Sequence, residues 1–480
     1  MKTLVSHPTG NRNVRAVLAA LDGAGRLASF HGALALGRTS RWPCYFPQRL
    51  RAELERRRYD LPDALVRVHP WREIVRLAAT RLGWTSLVAR ERGWACVDRV
   101  YAGLDRAVAS GLRANGPTQA VYAYEDGALA TFTRATELGI ARVYDLPIAY
   151  WETGRRLMTE EAERLPAWAA TLGGGVKDSP AKLRRKTREL ELANLVVTPS
   201  QFVSDSLPKW ARESKRVIIS PFGSPEPLDE KLLAKSLELR AQSSAAHNSD
   251  PIASRPSPFA PSTRLRVLFA GSLGQRKGLG DLFAAMRLLN RKDVELVVMG
   301  SLQAPMEFYR NEFADFTYEP GRPHAQVLEL MRSCDVFCLP SIVEGRALVM
   351  QEAMSQGLPI IITPNTGGAD LVCEARQIEA KSLELRAESS ESEAAEAYSF
   401  KLTANSSAQP FGRSATGFLV PIRSPEAIAE AIAWCADHRA KTAEMGRAAR
   451  LKAATYSWVD YGEIVVTAID QCVKTLIVSS

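Results

Sequence analysis

The chain has 480 residues, enough for two domains with full hydrophobic cores, and its 46% hydrophobic and 24% charged composition is that of an ordinary globular protein. No apolar run reaches the ~20 residues needed to span a bilayer, and the opening MKTLVSHPTGN lacks the long apolar core of a signal peptide, so we expect a cytoplasmic protein. Seven cysteines without a Cys-x-x-Cys pair argue against a disulfide framework and against a zinc site.

The net charge of +9 is concentrated near the N-terminus, where residues 1–100 hold 18 Lys or Arg and 8 Asp or Glu. Four tryptophans lie among these charges: Trp42, Trp71, Trp84 and Trp94. The segment 71–82, WREIVRLAATRL, places apolar residues at helical spacing between arginines, namely Trp71, Ile74, Val75, Ala78 and Leu82. Such a helix can lie on an anionic membrane, or it can turn its apolar stripe to the core and its basic face to solvent. Nucleic acid is disfavoured as a partner, because no recognised nucleic-acid module accompanies the charge.

Short apolar runs alternate with helix-length amphipathic segments through most of the chain, which predicts mainly parallel sheets with helices on both faces. The predicted strands of the first half are 2–6, 119–124, 142–146, 194–198 and 216–220. The pattern restarts with 264–271, 294–300, 316–321, 335–340 and 358–363. The predicted fold class is therefore α/β, with two doubly wound, Rossmann-like domains over residues 1–225 and 264–455.

Two segments interrupt this pattern. Residues 226–263 read as a flexible linker or insert, of which 243–263 are rich in Ser, Ala and Pro, and residues from about 376 to 413 read as an insert rich in Ala, Ser and Glu. The octapeptide AKSLELRA occurs in both, at 234–241 and 380–387. We interpret the two copies as duplicated insertions in surface loops, without a function of their own, since added loop length costs little stability.

Two loops that follow predicted strands carry groups suited to binding a ligand. In HPTGN (7–11), Gly10 would allow a close approach of the backbone. After the strand 264–271, the loop GSLGQRKGLG places Arg276 beside Lys277. Arginine binds phosphate through a planar fork and lysine as a point charge, so both cations fit a diphosphate.

The segment 341–363, SIVEGRALVMQEAMSQGLPIIIT, is the most informative of the chain. Glu344 lies in a loop after an apolar strand, and Glu352 lies about two turns into a helix predicted to begin near Arg346. The start of a helix offers free backbone N–H groups and a positive dipole end to negative charge. The spacing of the two carboxylates suits an elongated ligand with polar ends and negative charge between them, such as a nucleoside diphosphate sugar.

These segments resemble the family 4 retaining glycosyltransferases, which have the two-domain GT-B fold. The chain is similar to the E-x7-E signature of that family at Glu344, Gly345, Leu348, Glu352, Ala353, Gly357 and Pro359. It departs at Arg346 and Ala347, where an aromatic and a small residue are more usual. In the loop 271–278, Lys277 matches the family, Arg276 lies next to it, and Ser272 stands where an arginine is usual.

The resemblance implies transfer of a sugar from a nucleoside diphosphate to a glycan or lipid-linked acceptor, in cell-envelope or polysaccharide synthesis. It implies that Arg276 and Lys277 neutralise the donor diphosphate, that Glu344 holds a sugar hydroxyl and that Glu352 holds the ribose. Further donor contacts are implied at Gly10, Ser272, Gly345 and the amides of Arg346, Ala347 and Leu348. The C-terminal segment 456–480 is expected to return to the N-terminal domain.

No Asp-x-Asp occurs in the sequence, so we expect metal-independent transfer without a cofactor, in which Arg276, Lys277 and a helix N-terminus replace the cation. Two alternatives stay open: a non-catalytic nucleotide-sugar-binding protein, and a nucleotide-sugar epimerase of the same fold. Peripheral contact with an anionic membrane, at the inner face of the cell membrane, is a further expectation from the basic first hundred residues.

Overall fold

The computed structural model describes residues 1–45, 48–113, 116–225, 264–372 and 412–479. The chain divides into two compact units. The first comprises Met1–Thr153, Lys177–Gly223 and Trp458–Ser480, and the second comprises Gly154–Val176 and Ser224–Ser457. The predicted linker 226–263, most of the predicted insert 376–413 and both copies of AKSLELRA lie outside the described residues.

The first unit is built on a seven-stranded parallel sheet in the order β3-β2-β1-β4-β5-β6-β7. Its strands are β1 (Lys2–Ser6), β2 (Leu27–Gly32), β3 (Val66–Val68), β4 (Thr118–Tyr124), β5 (Ala141–Asp145), β6 (Leu195–Thr198) and β7 (Arg216–Ile219). The five predicted strands are confirmed. The sequence pattern does not predict β2 and β3, because LASFHG mixes small and polar residues and VRV is only three residues long.

The second unit is built on a sheet in the order β10-β9-β8-β11-β12-β14-β13. Its strands are β8 (Leu265–Ala270), β9 (Val294–Met299), β10 (Thr317–Glu319), β11 (Val336–Leu339), β12 (Ile360–Ile362), β13 (Gly412–Arg413) and β14 (Gly417–Leu419). All neighbours are parallel except the pair β13 and β14. The central strands β8, β11 and β12 are buried along their whole length, as expected of a parallel sheet covered on both faces. Gly412 and Arg413, at the end of the predicted insert, form β13.

Helices cover both sheets and connect most of the parallel strands. They are α1 (Arg12–Gly23), α2 (Gln48–Glu55), α3 (Trp71–Leu82), α4 (Thr85–Val88), α5 (Val97–Gly111), α6 (Leu129–Glu137), α7 (Trp151–Arg164), α8 (Pro180–Leu192), α9 (Gln201–Ser206), α10 (Lys209–Ser214), α11 (Leu279–Leu289), α12 (Met306–Glu312), α13 (His324–Arg332), α14 (Leu348–Ser355), α15 (Ala369–Val372), α16 (Pro425–Asp437), α17 (Arg439–Ala454) and α18 (Trp458–Ser479). Short 3₁₀ turns occupy Trp42–Tyr45, Asp63–Leu65, Pro166–Thr171, Gly174–Lys177, Gln275–Lys277 and Pro364–Thr366. The predicted class, α/β with two doubly wound sheets, is confirmed.

One predicted boundary is wrong. Residues 154–176 belong to the second unit, although the sequence analysis assigns them to an N-terminal domain of residues 1–225. The reason is the packing of Trp168, which is 2% exposed and lies edge-on to Phe283 and Tyr309. Arg164 also pairs with Asp281 at 2.7 Å. These contacts join residues far apart in the sequence, so no local pattern indicates them.

The last helix, α18, packs against α1 in the first unit. Arg26 forms an ion pair with Asp470, and the hydroxyl of Ser220 donates to the carbonyl of Tyr461 at 3.2 Å. A Cβ at Gly462 would crowd the carbonyl oxygen of Ala16, so the two helices approach closely where glycine leaves room. Among the described residues, none of the helices combines the length and the apolar character that crossing a bilayer requires.

Candidate functional site

The loop that follows β8 carries the two predicted phosphate-binding cations. Its 3₁₀ turn ends at Gly278, which has a φ of +75°, a conformation that favours glycine. A Cβ at Gly278 would overlap the carbonyl oxygen of Pro340, just past the end of β11. The N–H of Ile342 donates to the carbonyl of Arg276 at 3.0 Å. The loop after β8 therefore lies directly against the loop after β11, since neighbouring parallel strands end at the same edge of a sheet.

Glu344 joins the two cations in one cluster. Its carboxylate accepts hydrogen bonds from Arg276 at 3.0 and 3.2 Å and forms an ion pair with Lys277. Burial acts to raise the pKa of Glu344, but the charges of Lys277 and Arg276 outweigh it and hold that pKa below its usual value. Burial lowers the pKa of Lys277, against the opposing charge of Glu344. Because two cations face a single carboxylate, positive charge is in excess in this cluster, and the site is suited to bind an anion.

Ser272 lies in the same loop as the cations and is half-buried. Its carbonyl accepts from the N–H of Gly274 at 2.8 Å, and its hydroxyl makes no hydrogen bond within the described part of the chain. The position where the family usually has an arginine is thus uncharged. The second cation of the cluster comes from Arg276, whose guanidinium reaches the same carboxylate as Lys277.

The helix after Glu344 begins later than predicted. α14 starts at Leu348, with Ala347 as its N-cap, rather than near Arg346. The N–H of Ala347 donates to the carbonyl of Thr366 at 3.2 Å, so this amide is not one of the free donors that the sequence analysis expects. The N–H groups of Arg346 and Leu348 make no hydrogen bond inside the described ranges. Two of the three predicted amides therefore stay available to an anion.

Glu352 is the fifth residue of α14, which places it about 6 Å along the axis from Leu348. It is thus just over one turn into the helix, not two turns as predicted. Its side chain is 16% exposed, and Nδ1 of His324 lies 3.7 Å from its Oε1. Both signature carboxylates are therefore half-buried, one in the loop after β11 and one on the helix that this loop enters.

The side chain of Arg346 has a role that the sequence analysis did not predict. It is buried and donates to Gln351 Oε1 at 2.9 Å, to the carbonyl of Gly367 at 3.1 Å and to Asp370 Oδ1 at 2.7 Å. Burial acts to raise the pKa of Asp370, but the Arg346 guanidinium outweighs it and lowers that pKa. Arg346 thus ties the Glu344 loop to the turn after β12 and to the helix itself.

Gly367 is the second residue of this arrangement that the sequence analysis missed. Its φ is +80°, and a Cβ there would overlap the carbonyl oxygen of Gly345. Gly345 is buried in the loop between Glu344 and Arg346. The only local signal was the Gly-Gly pair in NTGGADLV, which marks a turn but does not indicate its partner.

Gly10 lies in the first unit, after β1, and its position has an explanation in packing. Its φ is +68°, and its N–H donates to Nδ1 of His7 at 2.8 Å. A Cβ at Gly10 would overlap the hydroxyl of Tyr59, whose ring lies 4.0 Å from the guanidinium carbon of Arg15. Tyr59 thus packs against Gly10 on the side where a Cβ would stand, and a donor contact at Gly10 stays a prediction.

Two carboxylates follow strands of the first unit. Glu125, after β4, pairs with Lys186 at 2.9 Å. Asp145, at the end of β5, is buried, accepts from Asn13 at 3.1 Å, and has its pKa raised by burial to about 7. Neither is assigned a catalytic role. In the part of the chain that the structure describes, no three His, Cys, Asp or Glu side chains are arranged to hold a metal ion.

The family model for glycosyl transferases group 1 matches residues 252–387. The D-inositol 3-phosphate glycosyltransferase of Paenarthrobacter aurescens is 25% identical over 206 residues, which are 40% of this chain and 46% of that protein. The putative colanic acid biosynthesis glycosyltransferase WcaL of Escherichia coli is 30% identical over 128 residues, which are 24% of this chain and 31% of that protein. The chain thus matches less than half the length of these curated relatives.

Among solved structures, that of Anabaena Alr3699/HepE in complex with UDP-glucose matches with a TM-score of 0.53 and 16% sequence identity, covering 98% of this chain and 100% of that chain. At this identity the likeness shows the fold. The family match includes the loops that carry Arg276, Lys277 and Glu344. Residues 252–387 are therefore similar to the glycosyl transferases group 1 family, and the chain has the GT-B fold.

Proposed function

We propose that the chain is a retaining glycosyltransferase that moves a sugar from a nucleoside diphosphate to a glycan or lipid-linked acceptor without a metal ion. The observation that carries this proposal is the cluster of Arg276, Lys277 and Glu344 beside the start of α14. The relative WcaL is named for colanic acid biosynthesis, and the HepE structure holds UDP-glucose. The HepE complex supports a nucleotide-sugar donor, and the name of WcaL supports a role in polysaccharide synthesis.

In the proposed reaction, the bond between the anomeric carbon and the diphosphate oxygen breaks, and its electron pair stays on the diphosphate. The anomeric carbon forms a new bond to an acceptor hydroxyl oxygen, which loses its proton to the departing phosphate or to solvent. Negative charge therefore grows on the diphosphate in the transition state. Fixed positive groups aimed at such charge are usually the largest single source of catalytic stabilisation.

Each residue of the candidate site would have a separate role in this reaction. Arg276 and Lys277 would contact the diphosphate, and the free amides of Arg346 and Leu348 would donate to its oxygens. Glu344, already held by both cations, would accept from a sugar hydroxyl. Glu352 would accept from the ribose hydroxyls. Gly10 is not part of the proposal, because Tyr59 accounts for its close packing.

The proposal is tested by incubating the full chain with labelled UDP- and GDP-sugars, with and without EDTA, while binding is measured by calorimetry. We expect release of nucleoside diphosphate, with water as the acceptor of the sugar, and we expect it to continue in EDTA, because Arg276 and Lys277 supply positive charge in place of a cation. Binding without release would favour a non-catalytic nucleotide-sugar protein, and conversion of the donor sugar without transfer would favour an epimerase. Complete loss in EDTA, restored by manganese, would contradict the metal-free mechanism.

Glu352→Ala should weaken donor binding about tenfold or more while kcat falls much less, since ribose contacts are equally strong in the ground and transition states. Glu430→Ala is the matched control, because Glu430 is an exposed carboxylate on α16 of the same unit. Donor KM and calorimetric Kd are measured for both variants. An unchanged donor KM with a collapsed kcat would assign Glu352 to the chemical step instead.

A further inference from the structure

Helix α3 turns its apolar stripe outward. Trp71 is 76% exposed, Leu82 60% and Ile74 45%, whereas Glu73 and Ala79 are buried. Of the two alternatives, the one in which this stripe faces the core is therefore contradicted at Trp71, Ile74 and Leu82. A helix that buries a carboxylate and exposes a tryptophan reverses the usual amphipathic arrangement.

Ion pairs explain why the polar face lies inward. Glu73 accepts from Arg57 at 3.1 Å and from Arg76 at 2.7 Å, and its side chain is only 8% exposed. Arg57 lies outside α3, so this pair anchors the polar face of the helix to the rest of the unit. The burial of Glu73 is satisfied by two charged partners, and this orientation leaves Trp71, Ile74 and Leu82 facing solvent.

Other exposed apolar residues adjoin α3 in the chain. Val68, in the strand before the helix, is 41% exposed, and Trp84, just after it, is 54% exposed. We name the set of Val68, Trp71, Ile74, Leu82 and Trp84 the α3 surface. Large exposed apolar residues on one helix and directly beside it in the chain, including two tryptophans, indicate a contact surface rather than scattered surface residues.

An arginine lies beside this surface. Arg81 precedes Leu82 on α3 and falls on the same side of the helix as Ile74; it is exposed and forms no ion pair with another described residue. Tryptophan rings suit the boundary between water and acyl chains, and arginine is attracted to anionic headgroups. Residues 1–100 contain more basic than acidic residues, so the part of the chain that includes the α3 surface also carries net positive charge.

We infer that the α3 surface docks on an anionic lipid bilayer, with its tryptophans at the level of the headgroups and Arg81 on lipid phosphates. The inference rests on the exposure and charge of α3 and does not require transfer activity. If the proposed function also holds, docking would bring the chain to lipid-linked acceptors.

The test is co-sedimentation of the full chain with vesicles of neutral phosphatidylcholine or of phosphatidylcholine mixed with phosphatidylglycerol. We expect binding to the anionic vesicles alone, and release by high salt because the attraction is screened. Arg81→Glu should weaken binding more than fivefold, since the loss of one surface cation alone accounts for about fivefold. Trp71→Ala should weaken it as well, and the tryptophan emission of the wild type should shift to the blue on binding.

Arg212→Glu and Trp210→Ala are the matched controls, because both residues are exposed on α10 of the same unit. We expect both controls to bind vesicles like the wild type. Equal loss in the Arg81 and Arg212 variants would show that net charge alone drives binding and would overturn the assignment to α3. Absence of binding to strongly anionic vesicles would overturn the assignment too. Self-association in solution that Trp71→Ala abolishes would also overturn it, because the α3 surface would then be a contact between protein molecules.

Nucleoside diphosphate release from a soluble donor is measured in parallel, so failure of docking and failure of catalysis are distinguishable.

Discussion

Lys277→Ala is expected to lower turnover at least 100-fold while the chain stays folded. Removing one group that stabilises developing charge in an active site costs about 2.7–4 kcal/mol in the transition state, which corresponds to a factor of about 100 to 1000. The folded state should tolerate the change, because Glu344 keeps its hydrogen bonds from Arg276 at 3.0 and 3.2 Å. The carboxylate is therefore not left as an unpaired charge.

The measurement is the initial rate of nucleoside diphosphate release at saturating donor, with thermal unfolding as the check on folding. Lys277→Arg, which keeps a positive charge, should retain part of the activity. Lys292→Ala, at an exposed lysine after α11, should behave as the wild type. A Lys277→Ala variant that is folded and nearly as active as the wild type would remove Lys277 from the proposed mechanism.

The sequence predicts the fold well where the signal is local. Both central runs, VLF in β8 and III in β12, are fully buried, and strands buried on both faces read as continuous apolar runs. The short β3 and the mixed LASFHG of β2 give no such signal, because their register is fixed by pairing with neighbours. The identity of Arg276, Lys277 and Glu344 as candidates was also available from the sequence, but not their mutual pairing.

The errors share a physical cause, which is contact between residues distant in sequence. The start of α14 moves from Arg346 to Leu348 because the N–H of Ala347 is bonded to Thr366 and the Arg346 side chain is bonded to Asp370. The apolar stripe of α3 points outward because Arg57, sixteen residues earlier, binds Glu73. Periodicity gives the composition of a helix face but not the partner that the face meets.

Gly367→Ala is expected to lower both stability and turnover, since two costs coincide at this position. An alanine in the left-handed region, at a φ of +80°, loses about 1–2 kcal/mol relative to glycine. Its Cβ would also overlap the carbonyl oxygen of Gly345, and overpacking of this kind typically adds about 1–3 kcal/mol. The loop that carries Glu344 can relieve the overlap only by moving away from Gly367. A shift of about 1 Å at a positioned group can lower a rate by about 100-fold.

Gly357→Ala is the control that separates the cost of backbone strain from the cost of the Cβ overlap. Gly357 follows α14 with a φ of +86°, so it imposes nearly the same backbone strain, but a Cβ there has open space around it. We expect Gly357→Ala to lower the free energy of unfolding by about 1–2 kcal/mol and to leave kcat and donor Kd unchanged. Gly367→Ala should lose more stability than this and about 100-fold in turnover, with weaker donor binding by calorimetry.

If the two variants lose stability equally and both keep full activity, the contact between Gly367 and Gly345 does not position the Glu344 loop. If Gly367→Ala alone loses turnover while remaining folded at the assay temperature, the carbonyl contact at Gly345 holds the loop in its active position.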